Sequence, residues 1–317
     1  MPHPPPLLPL TRPVVAVVGP TATGKSDLAL DLAQRLDAEV VGADAMQLYR
    51  GMDVGTAKLA PAERRGIPHH QLDVLEVRDE ASVAAYQREA RAALAAIDAR
   101  GRRPVLVGGS GLYVRAVLDR LEIPPTDVVV RARLTAELEA EGVEALRARL
   151  QRVDPAAVAS IEPRNGRRLV RALEVVELTG RPFSATLPTR ELAVPALILG
   201  LTADRATLDA RIDARVERMW ELGLIAEVES LLAVGLREGR TASRAIGYAQ
   251  AVAQLDGRLT GAQARAETAA GTRRLARRQR SWFASDPRVV WLAHDAPDLL
   301  DLALAEVTAA DLSIRAP

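Results

Sequence analysis

Cysteine is absent from the 317-residue chain, and its absence excludes several kinds of chemistry. Without a thiol there is no disulfide, no zinc site built on cysteine ligands and no cysteine nucleophile. A chain without cysteine also fits a reducing compartment, so we expect a cytoplasmic protein.

Aromatic residues, net charge and long apolar runs are also scarce. Phe, Trp and Tyr make up 3% of the residues, and the formal net charge at pH 7 is +1. Binding to nucleic acid would therefore need a local basic patch. Every apolar run is shorter than the roughly 20 residues of a membrane-spanning helix, so we predict no contact with a membrane. The remaining composition, 48% hydrophobic and 26% charged, is that of a globular protein.

Strand-like runs alternate with helical patterns along most of the chain. This alternation predicts an α/β fold, a parallel sheet flanked by helices. The predicted strands cover residues 14–18, 39–42, 105–107, 196–201 and 289–292. The adjacent residues His69 and His70 fall outside these runs, and we interpret them as a loop pair and not as a metal motif.

The stretch from 121 to 195 has a charged helical pattern and no strand signal. We therefore predict a core made of residues 14–120 and 196–317, with an inserted helical domain at 121–195. The proline-rich stretch 1–13 lacks the basic start and the unbroken apolar centre of a signal peptide, and we interpret it as a disordered leader.

The most informative motif is a P-loop, placed between an apolar strand and a helical pattern. It comprises Gly19, Pro20, Thr21, Ala22, Thr23, Gly24, Lys25 and Ser26. Free backbone N–H groups and the positive end of the helix dipole favour a phosphate at such a turn. Lys25 adds a full positive charge, and the Ser26 hydroxyl suits Mg²⁺. We therefore predict that this segment grips a phosphate chain, with Mg²⁺ as the cofactor.

Two further segments follow predicted strands. We expect them beside the P-loop, because loops after parallel strands emerge on the ligand side of an open sheet. Asp44 follows the second strand, where a carboxylate orients Mg²⁺ or takes a proton from a nucleophile. The alternative for Asp44 is an ordinary helix N-cap. The third strand ends in the glycines and hydroxyl of residues 108–111, without the acidic residue that P-loop ATPases often carry there.

Arginine is concentrated in two places on this nearly neutral chain. One cluster, followed by Trp282 and Phe283, comprises Arg273, Arg274, Arg277, Arg278 and Arg280. The other lies in the predicted insertion and comprises Arg164, Arg167, Arg168 and Arg171. A basic helix with an aromatic end suits a phosphate backbone, and the alternative is a solvated face paired with acids. Two separate clusters favour a large polyanionic partner.

Seven stretches resemble, in the same order, the tRNA dimethylallyltransferase family, also called isopentenyl-tRNA transferases. They are GPTATGKS (19–26), DAMQLYRGMDVGTAK (44–58), PHHQLD (68–73), VLVGGSGLY (105–113), RRLVRALEV (167–175), SRAIGYAQ (243–250) and TRRLARRQRSWF (272–283). The long block after Asp44 is far more specific than the P-loop. The resemblance implies a nucleotide-kinase-like fold whose inserted helical domain helps to grip the anticodon stem-loop. The eukaryotic zinc-finger extension is absent, so the resemblance is to the bacterial type.

This resemblance also implies a reaction. A dimethylallyl group passes from dimethylallyl diphosphate to the exocyclic N6 amine of the adenosine immediately 3′ of the anticodon, and diphosphate is released. The P-loop would then hold diphosphate and not ATP. The tRNA anticodon stem-loop and dimethylallyl diphosphate are the implied partners, and we expect a monomer.

The same resemblance implies roles for single residues. Asp44 is the general base, and Ser110 and Arg244 stand near the reaction centre. The P-loop residues hold the diphosphate, with Ser26 on the metal. Contacts to tRNA are implied for Asp44, Ala45, Met46, Gln47, Arg131, Arg167, Arg168 and Arg171, and the C-terminal cluster adds Arg277 and Arg278. The family often has Ser where this chain has Ala45, and usually Thr where it has Ser110.

Other functions remain open at this point. A P-loop kinase would phosphorylate a small molecule with ATP, a related transferase would prenylate a free adenine nucleotide, and an RNA-binding module would catalyse nothing. The long insertion and the two arginine clusters favour tRNA over a free nucleotide. The intact P-loop together with Asp44 favours an enzyme over a binding module.

Overall fold

A computed structural model describes residues 8–186 and 190–315. Residues 1–7 of the predicted leader lie outside the described residues. Residues 8–13 depart from the prediction of disorder, because Leu8 and Leu10 pack against the core. The Leu8 N–H donates to the carbonyl of Ala193 at 3.0 Å, and the Thr11 hydroxyl donates to Asp98 at 2.6 Å.

The described chain forms a six-stranded sheet in which every pair of neighbouring strands is parallel. Its strands are β1 (Val14–Val18), β2 (Ala38–Gly42), β3 (His69–His70), β4 (Arg103–Gly108), β5 (Ala196–Thr202) and β6 (Val289–Ala293). Their order across the sheet is β3-β2-β4-β1-β5-β6. The predicted α/β fold with a parallel sheet is therefore confirmed.

The loop interpretation of the histidine pair was wrong, because the pair forms the edge strand β3. His69 and His70 stand opposite Val40 and Val41 of β2. The His70 ring lies 2.7 Å from the buried carboxylate of Glu39 in β2. A side-chain hydrogen bond therefore joins β3 to β2 in addition to the strand pairing. The structure thus gives the pair a structural place in the sheet.

Helices cover both faces of the sheet and make up the insertion. They are α1 (Lys25–Leu36), α2 (Val83–Ala99), α3 (Gly111–Leu118), α4 (Val128–Glu141), α5 (Val143–Val153), α6 (Pro155–Ser160), α7 (Gly166–Thr179), α8 (Arg205–Glu221), α9 (Leu224–Ala233), α10 (Tyr248–Leu255), α11 (Gly261–Ala284) and α12 (Leu299–Arg315). No helix of the described residues is both long and apolar enough to cross a membrane.

The central strand β1 shows why an unbroken apolar run is needed here. Its side chains alternate between two cores, with Val14, Ala16 and Val18 on one face and Val15 and Val17 on the other. The first core includes residues of α2 and α3, and the second includes residues of α1 and α12. Burial of each valine side chain contributes about 1.5–3 kcal/mol, and a strand that is buried on both faces must be apolar on both.

The chain divides into two compact units, of which Asp119–Glu191 is the smaller. The sequence places its predicted insertion at 121–195, and the tRNA contact assigned to that domain stays a prediction. The smaller unit contains α4, α5, α6 and α7, packed around the buried side chains of Leu134, Leu150 and Leu169. The break between α4 and α5 falls at Gly142, whose φ of +83° favours glycine.

Candidate active site

Three loops meet at the carboxyl edge of the sheet, as the sequence predicts. The P-loop follows β1, Ser110 follows β4 and Asp44 follows β2, and these strands are neighbours in the sheet. The loops are joined directly, since the Ala45 N–H donates to Ser110 Oγ at 3.2 Å and the Ser110 N–H donates to the Ala43 carbonyl at 3.3 Å. A side chain on Gly108 would collide with that carbonyl, because a Cβ there would lie 2.1 Å from it.

These loops open onto a cavity of about 620 Å³. It brings together many of the residues singled out in the sequence: Thr21, Asp44, Ala45, Met46, Ser110, Arg244 and Arg278. Asp44 is the only acidic residue among the described residues that line it, whereas Arg215, Arg244 and Arg278 are cationic. The cavity is therefore suited to an anionic ligand that approaches a single carboxylate.

Glycines and internal hydrogen bonds hold the turn of the P-loop. Gly19 and Gly24 have φ angles of +136° and +84°, and a Cβ on Gly19 would lie 2.6 Å from the Leu201 carbonyl of β5. The Thr23 hydroxyl and the Lys25 ammonium both donate to the Pro20 carbonyl, at 2.9 and 2.5 Å. The turn is therefore held in place at the start of α1, the end of a helix that favours an anion.

Two cations, Lys25 and Arg215, lie close enough at the P-loop for the charge of Arg215 to act on Lys25. Burial of the Lys25 ammonium and the nearby Arg215 guanidinium lower the pKa of Lys25 to about 7, against the opposing pull of Asp44. Burial also lowers the pKa of Arg215, and the Asp44 carboxylate again opposes this shift. A bound anion would relieve both effects, because it supplies the negative charge that these cations lack.

Two residues of this site were missed in the sequence. Arg215 of α8 donates to the Thr21 hydroxyl at 3.1 Å and to the Thr56 carbonyl at 3.2 Å. Gln279 of α11 accepts the Thr21 backbone N–H at 2.9 Å. The Gln279 amide uses the space that a side chain at residue 109 would occupy, since a Cβ there would lie 2.3 Å from Gln279 Nε2. Both residues lie in charged helical stretches, so the sequence does not predict that they contact Thr21.

Gln47, predicted to contact the target adenosine, is bound to a neighbouring loop. Its Nε2 donates a hydrogen bond of 3.2 Å to the Thr56 carbonyl, and the same carbonyl accepts a hydrogen bond from Arg215. Glu227 of α9 holds the same loop, accepting the Val54 N–H at 2.7 Å and the Tyr248 hydroxyl at 2.5 Å. This loop lines the cavity, so its fixed position shapes the space in front of Asp44.

The arginines of α11 divide between an ion pair and an open groove. Arg273 forms an ion pair with Asp213 of α8. A groove of about 650 Å³ is lined by Arg274, Arg277, Arg278, Ser281, Trp282 and Ser285. In the described part of the chain, no acidic residue lies within ion-pair distance of the three groove arginines. The groove is thus an exposed cationic surface that shares Arg278 and Trp282 with the cavity.

The predicted tRNA-binding arginines of the smaller unit lie in two different environments. Arg131 and Arg171 donate to the fully buried Glu174 carboxylate at 2.8 and 2.7 Å. Burial alone would raise the pKa of Glu174, but the hydrogen bonds from these two arginines hold that pKa below its usual range. Arg167 and Arg168 are exposed on α7. All four assignments to tRNA stay predictions.

The predicted metal ligand, Ser26, is compatible with a magnesium ion. Ser26 is half-buried and is the second residue of α1, directly after Lys25. No group of three or more His, Cys, Asp or Glu within 8–186 and 190–315 is arranged to hold a metal ion. Mg²⁺ is often held by few protein ligands together with substrate phosphates, and the Ser26 hydroxyl beside the P-loop fits this mode.

Comparisons with known proteins agree with this architecture. The family model described as IPP transferase matches residues 47–286. A tRNA dimethylallyltransferase from a Nocardioides species is 60% identical, over 95% of this chain and 97% of its own. The protein of the same name from Kineococcus radiotolerans is 62% identical, over 92% of this chain and 94% of its own.

Solved structures agree as well. The tRNA isopentenylpyrophosphate transferase of Bacillus halodurans is similar with a TM-score of 0.70 and 37% identity, over 96% of this chain and all of that chain. A eukaryotic dimethylallyltransferase, solved acting on tRNA, shares the fold with a TM-score of 0.80 at 24% identity, over 97% of this chain and 81% of that chain. The matches cover nearly the whole chain and most of each relative. The chain therefore belongs to the tRNA dimethylallyltransferase family.

Proposed function

We propose that the protein transfers a dimethylallyl group from dimethylallyl diphosphate to the N6 amine of the adenosine 3′ of a tRNA anticodon. One observation carries the proposal: Thr21 of the P-loop and Asp44 line a single cavity whose other charged lining residues are arginines. In the reaction, the bond between the allylic carbon and the diphosphate oxygen breaks, and a bond from N6 to that carbon forms. Diphosphate leaves with the electron pair, and the N6 proton passes to Asp44.

The leaving group develops negative charge, and the P-loop is the part of the chain that stabilises it. Backbone N–H groups at the start of α1 and the Lys25 ammonium face the diphosphate, and Arg215 and Arg244 add charge from the cavity wall. Bound Mg²⁺ would neutralise further charge on the diphosphate, held by the Ser26 hydroxyl. The Arg215 bond to Thr21 keeps this guanidinium beside the loop.

Asp44 is the proton acceptor in this proposal. The Met46 N–H donates to Asp44 Oδ1 at 2.9 Å, which orients the carboxylate and leaves Oδ2 for the adenine amine. This bond closes a local turn with no helix behind it, so the helix-cap alternative does not apply. A positioned general base typically accelerates proton transfer by about 10²–10⁴-fold.

The acceptor would come from a single-stranded RNA loop. An adenine reaches Asp44 only after it leaves its stack, which costs a few kcal/mol and is least costly in an anticodon loop. Met46 lines the cavity beside Asp44, and Arg277 and Arg278 line the adjoining groove, where an RNA backbone would bind. A monomer that acts in the cytoplasm belongs to the same proposal.

The first experiment separates this reaction from its competitors. We would incubate the enzyme and Mg²⁺ with dimethylallyl diphosphate labelled in the allyl group and either an anticodon hairpin or AMP, and use labelled ATP as the control donor. We expect label in the hairpin alone. Label in AMP alone, or phosphate transfer from ATP, would reject the proposal.

A variant then assigns the base. Asp44→Asn keeps the shape of the side chain but cannot take up the N6 proton, so turnover should fall by about 10²–10⁴-fold. Binding of the hairpin, measured separately, should change little. Near-normal turnover would remove Asp44 from its proposed role.

A further inference from the structure

Trp282 stands at the point where the cavity meets the arginine groove. It is among the lining residues of both spaces, together with Arg278. The other two tryptophans are placed differently, since Trp220 donates to Gln254 at 2.9 Å and Trp291 packs against the core of the sheet. Trp282 is therefore the tryptophan of this chain that faces both the reaction space and a cationic surface.

One side of the indole is fixed by the glycine-rich turn after β4. A Cβ on Gly111 would lie 2.2 Å from indole Cδ1 and Nε1, so the ring lies against the bare backbone of this residue. One helical turn earlier, Gln279 lies against Gly109 in the same manner. One side of the ring therefore rests against the backbone of Gly111.

The rest of the indole is open. Trp282 is 43% exposed, which places it among the large apolar residues that stay open to solvent. Arg274, Arg277 and Arg278 stand around the exposed part on the groove side. A rigid aromatic surface beside cations is the arrangement that binds single-stranded nucleic acid, because bases stack on the ring while phosphates pair with the cations.

We propose that Trp282 is a stacking platform for the base of a nucleotide that flanks the extruded adenosine. The inference rests on the proposed function, since it takes the ligand of the groove to be an RNA loop. Asp44 receives the reacting base inside the cavity, and Trp282 at the rim receives its neighbour as the RNA leaves the cavity for the groove. Stacking holds the loop open and resists return of the adenosine to its stack.

The test measures the coupling between the ring and one base. Binding of an anticodon hairpin is compared with binding of hairpins that carry an abasic site on either side of the target adenosine, for wild type and for Trp282→Ala. We expect the substitution to weaken binding of the intact hairpin by about 5- to 150-fold. It should have little further effect on the hairpin whose flanking base is missing. Independent effects of the two changes would overturn the proposal.

Two matched variants distinguish stacking of a base on an aromatic ring from contact of the base with any apolar side chain. Trp282→Phe keeps an aromatic face and should retain most of the affinity, whereas Trp282→Leu keeps an apolar group and should bind as weakly as Trp282→Ala. The salt dependence of binding should be the same in all of them, because the ring contacts no phosphate. Wild-type affinity in Trp282→Leu would show that apolar coverage is enough and would reject stacking.

A spectroscopic measurement leaves Trp282 in place and so does not depend on the folding of the Trp282 variants. In the protein with Trp220→Phe and Trp291→Phe, Trp282 is the sole tryptophan, and the intact hairpin should quench its fluorescence more than the abasic hairpin does. Equal quenching by both would overturn the proposal. Prenyl transfer by the wild type is assayed in parallel. If the transfer occurs without the coupling, the platform alone is rejected; if no RNA is prenylated, the proposed function is rejected.

Discussion

Two groups of arginines look alike in the sequence and differ in the structure. In the smaller unit, Arg131 and Arg171 converge on the buried carboxylate of Glu174. On α11, Arg277 and Arg278 line an open groove, and the described chain places no acid beside them. The comparison teaches that a cluster of like charges does not define a binding surface. The position of the nearest carboxylate decides whether a guanidinium serves the fold or a ligand.

The largest expected effect comes from removal of the carboxylate that defines the first group. Glu174→Ala leaves Arg131 and Arg171 without their shared partner and also removes the acceptor of the Asp127 N–H. We expect the free energy of unfolding to fall by about 3 kcal/mol, measured by denaturant titration. The control is Glu177→Ala, whose partners are half-exposed. If the two variants are equally stable, Glu174 does not hold this unit together.

Removal of the second group should affect binding and leave the fold intact. We expect Arg277→Ala combined with Arg278→Ala to weaken hairpin binding. The slope of its salt dependence should become shallower by about 0.7–0.9 for each phosphate that these arginines neutralise in the wild type. Stability should change by less than about 0.5 kcal/mol, since the side chains are exposed. An unchanged salt slope would show that this groove is an ordinary solvated face.

Lys25 differs from both groups of arginines, because it lies in the P-loop near the cation Arg215 and the carboxylate of Asp44 only partly offsets the effects of burial and of that cation. Its pKa of about 7 means that the free enzyme loses this proton above pH 7, whereas a bound diphosphate raises the pKa and retains the proton. Donor binding must then take up a proton, so affinity should fall above pH 7 by at most about tenfold per pH unit. Below pH 7 this group contributes no pH dependence.

Equilibrium binding of the donor without RNA measures this effect. Lys25→Arg is the matched variant, since arginine keeps its charge throughout this range, and its affinity should not fall above pH 7 through this group. A steep fall shared by both proteins would assign the pH dependence to another group.

The smallest expected effect sharpens the comparison within a single helix. Arg273 is one turn from the groove arginines but is paired with Asp213 in a partly exposed ion pair. Arg273→Ala should lower stability by no more than about 1 kcal/mol and should leave the salt slope of RNA binding unchanged. If the salt slope changed as much as in the Arg277 and Arg278 variant, the ion pair with Asp213 would not keep Arg273 from binding RNA.

Much of the fold follows from patterns that the sequence displays. The apolar run of β1 and the alternation of strands and helices predict the parallel sheet, because such strands are buried on both faces. The loops that carry Lys25, Asp44 and Ser110 are predictable as neighbours for the same topological reason. The strand β3 was missed because two residues are too few to produce a pattern, and only pairing with β2 defines it.

The rest of the site depends on contacts between distant parts of the chain. Arg215 and Gln279 reach Thr21 from α8 and α11, and nothing in their local sequence separates them from surface residues of charged helices. The pairing of Arg131 and Arg171 with Glu174 is hidden in the same way, since a carboxylate in α7 gives no sign that it is buried. Periodicity reports which face of a helix is apolar, but not which polar side chain the fold encloses.

The two bare backbone positions at 109 and 111 have a consequence for how this enzyme can change. They leave room for two side chains of α11, Gln279 against the P-loop and Trp282 at the rim of the cavity. Because both contacts are with side chains, a methyl group at 109 would displace the Gln279 amide from its place beside Thr21, and one at 111 would displace the Trp282 indole. Helix α11 thus contacts both the P-loop and the rim of the cavity, and we expect substitutions that shift this helix to alter both places together.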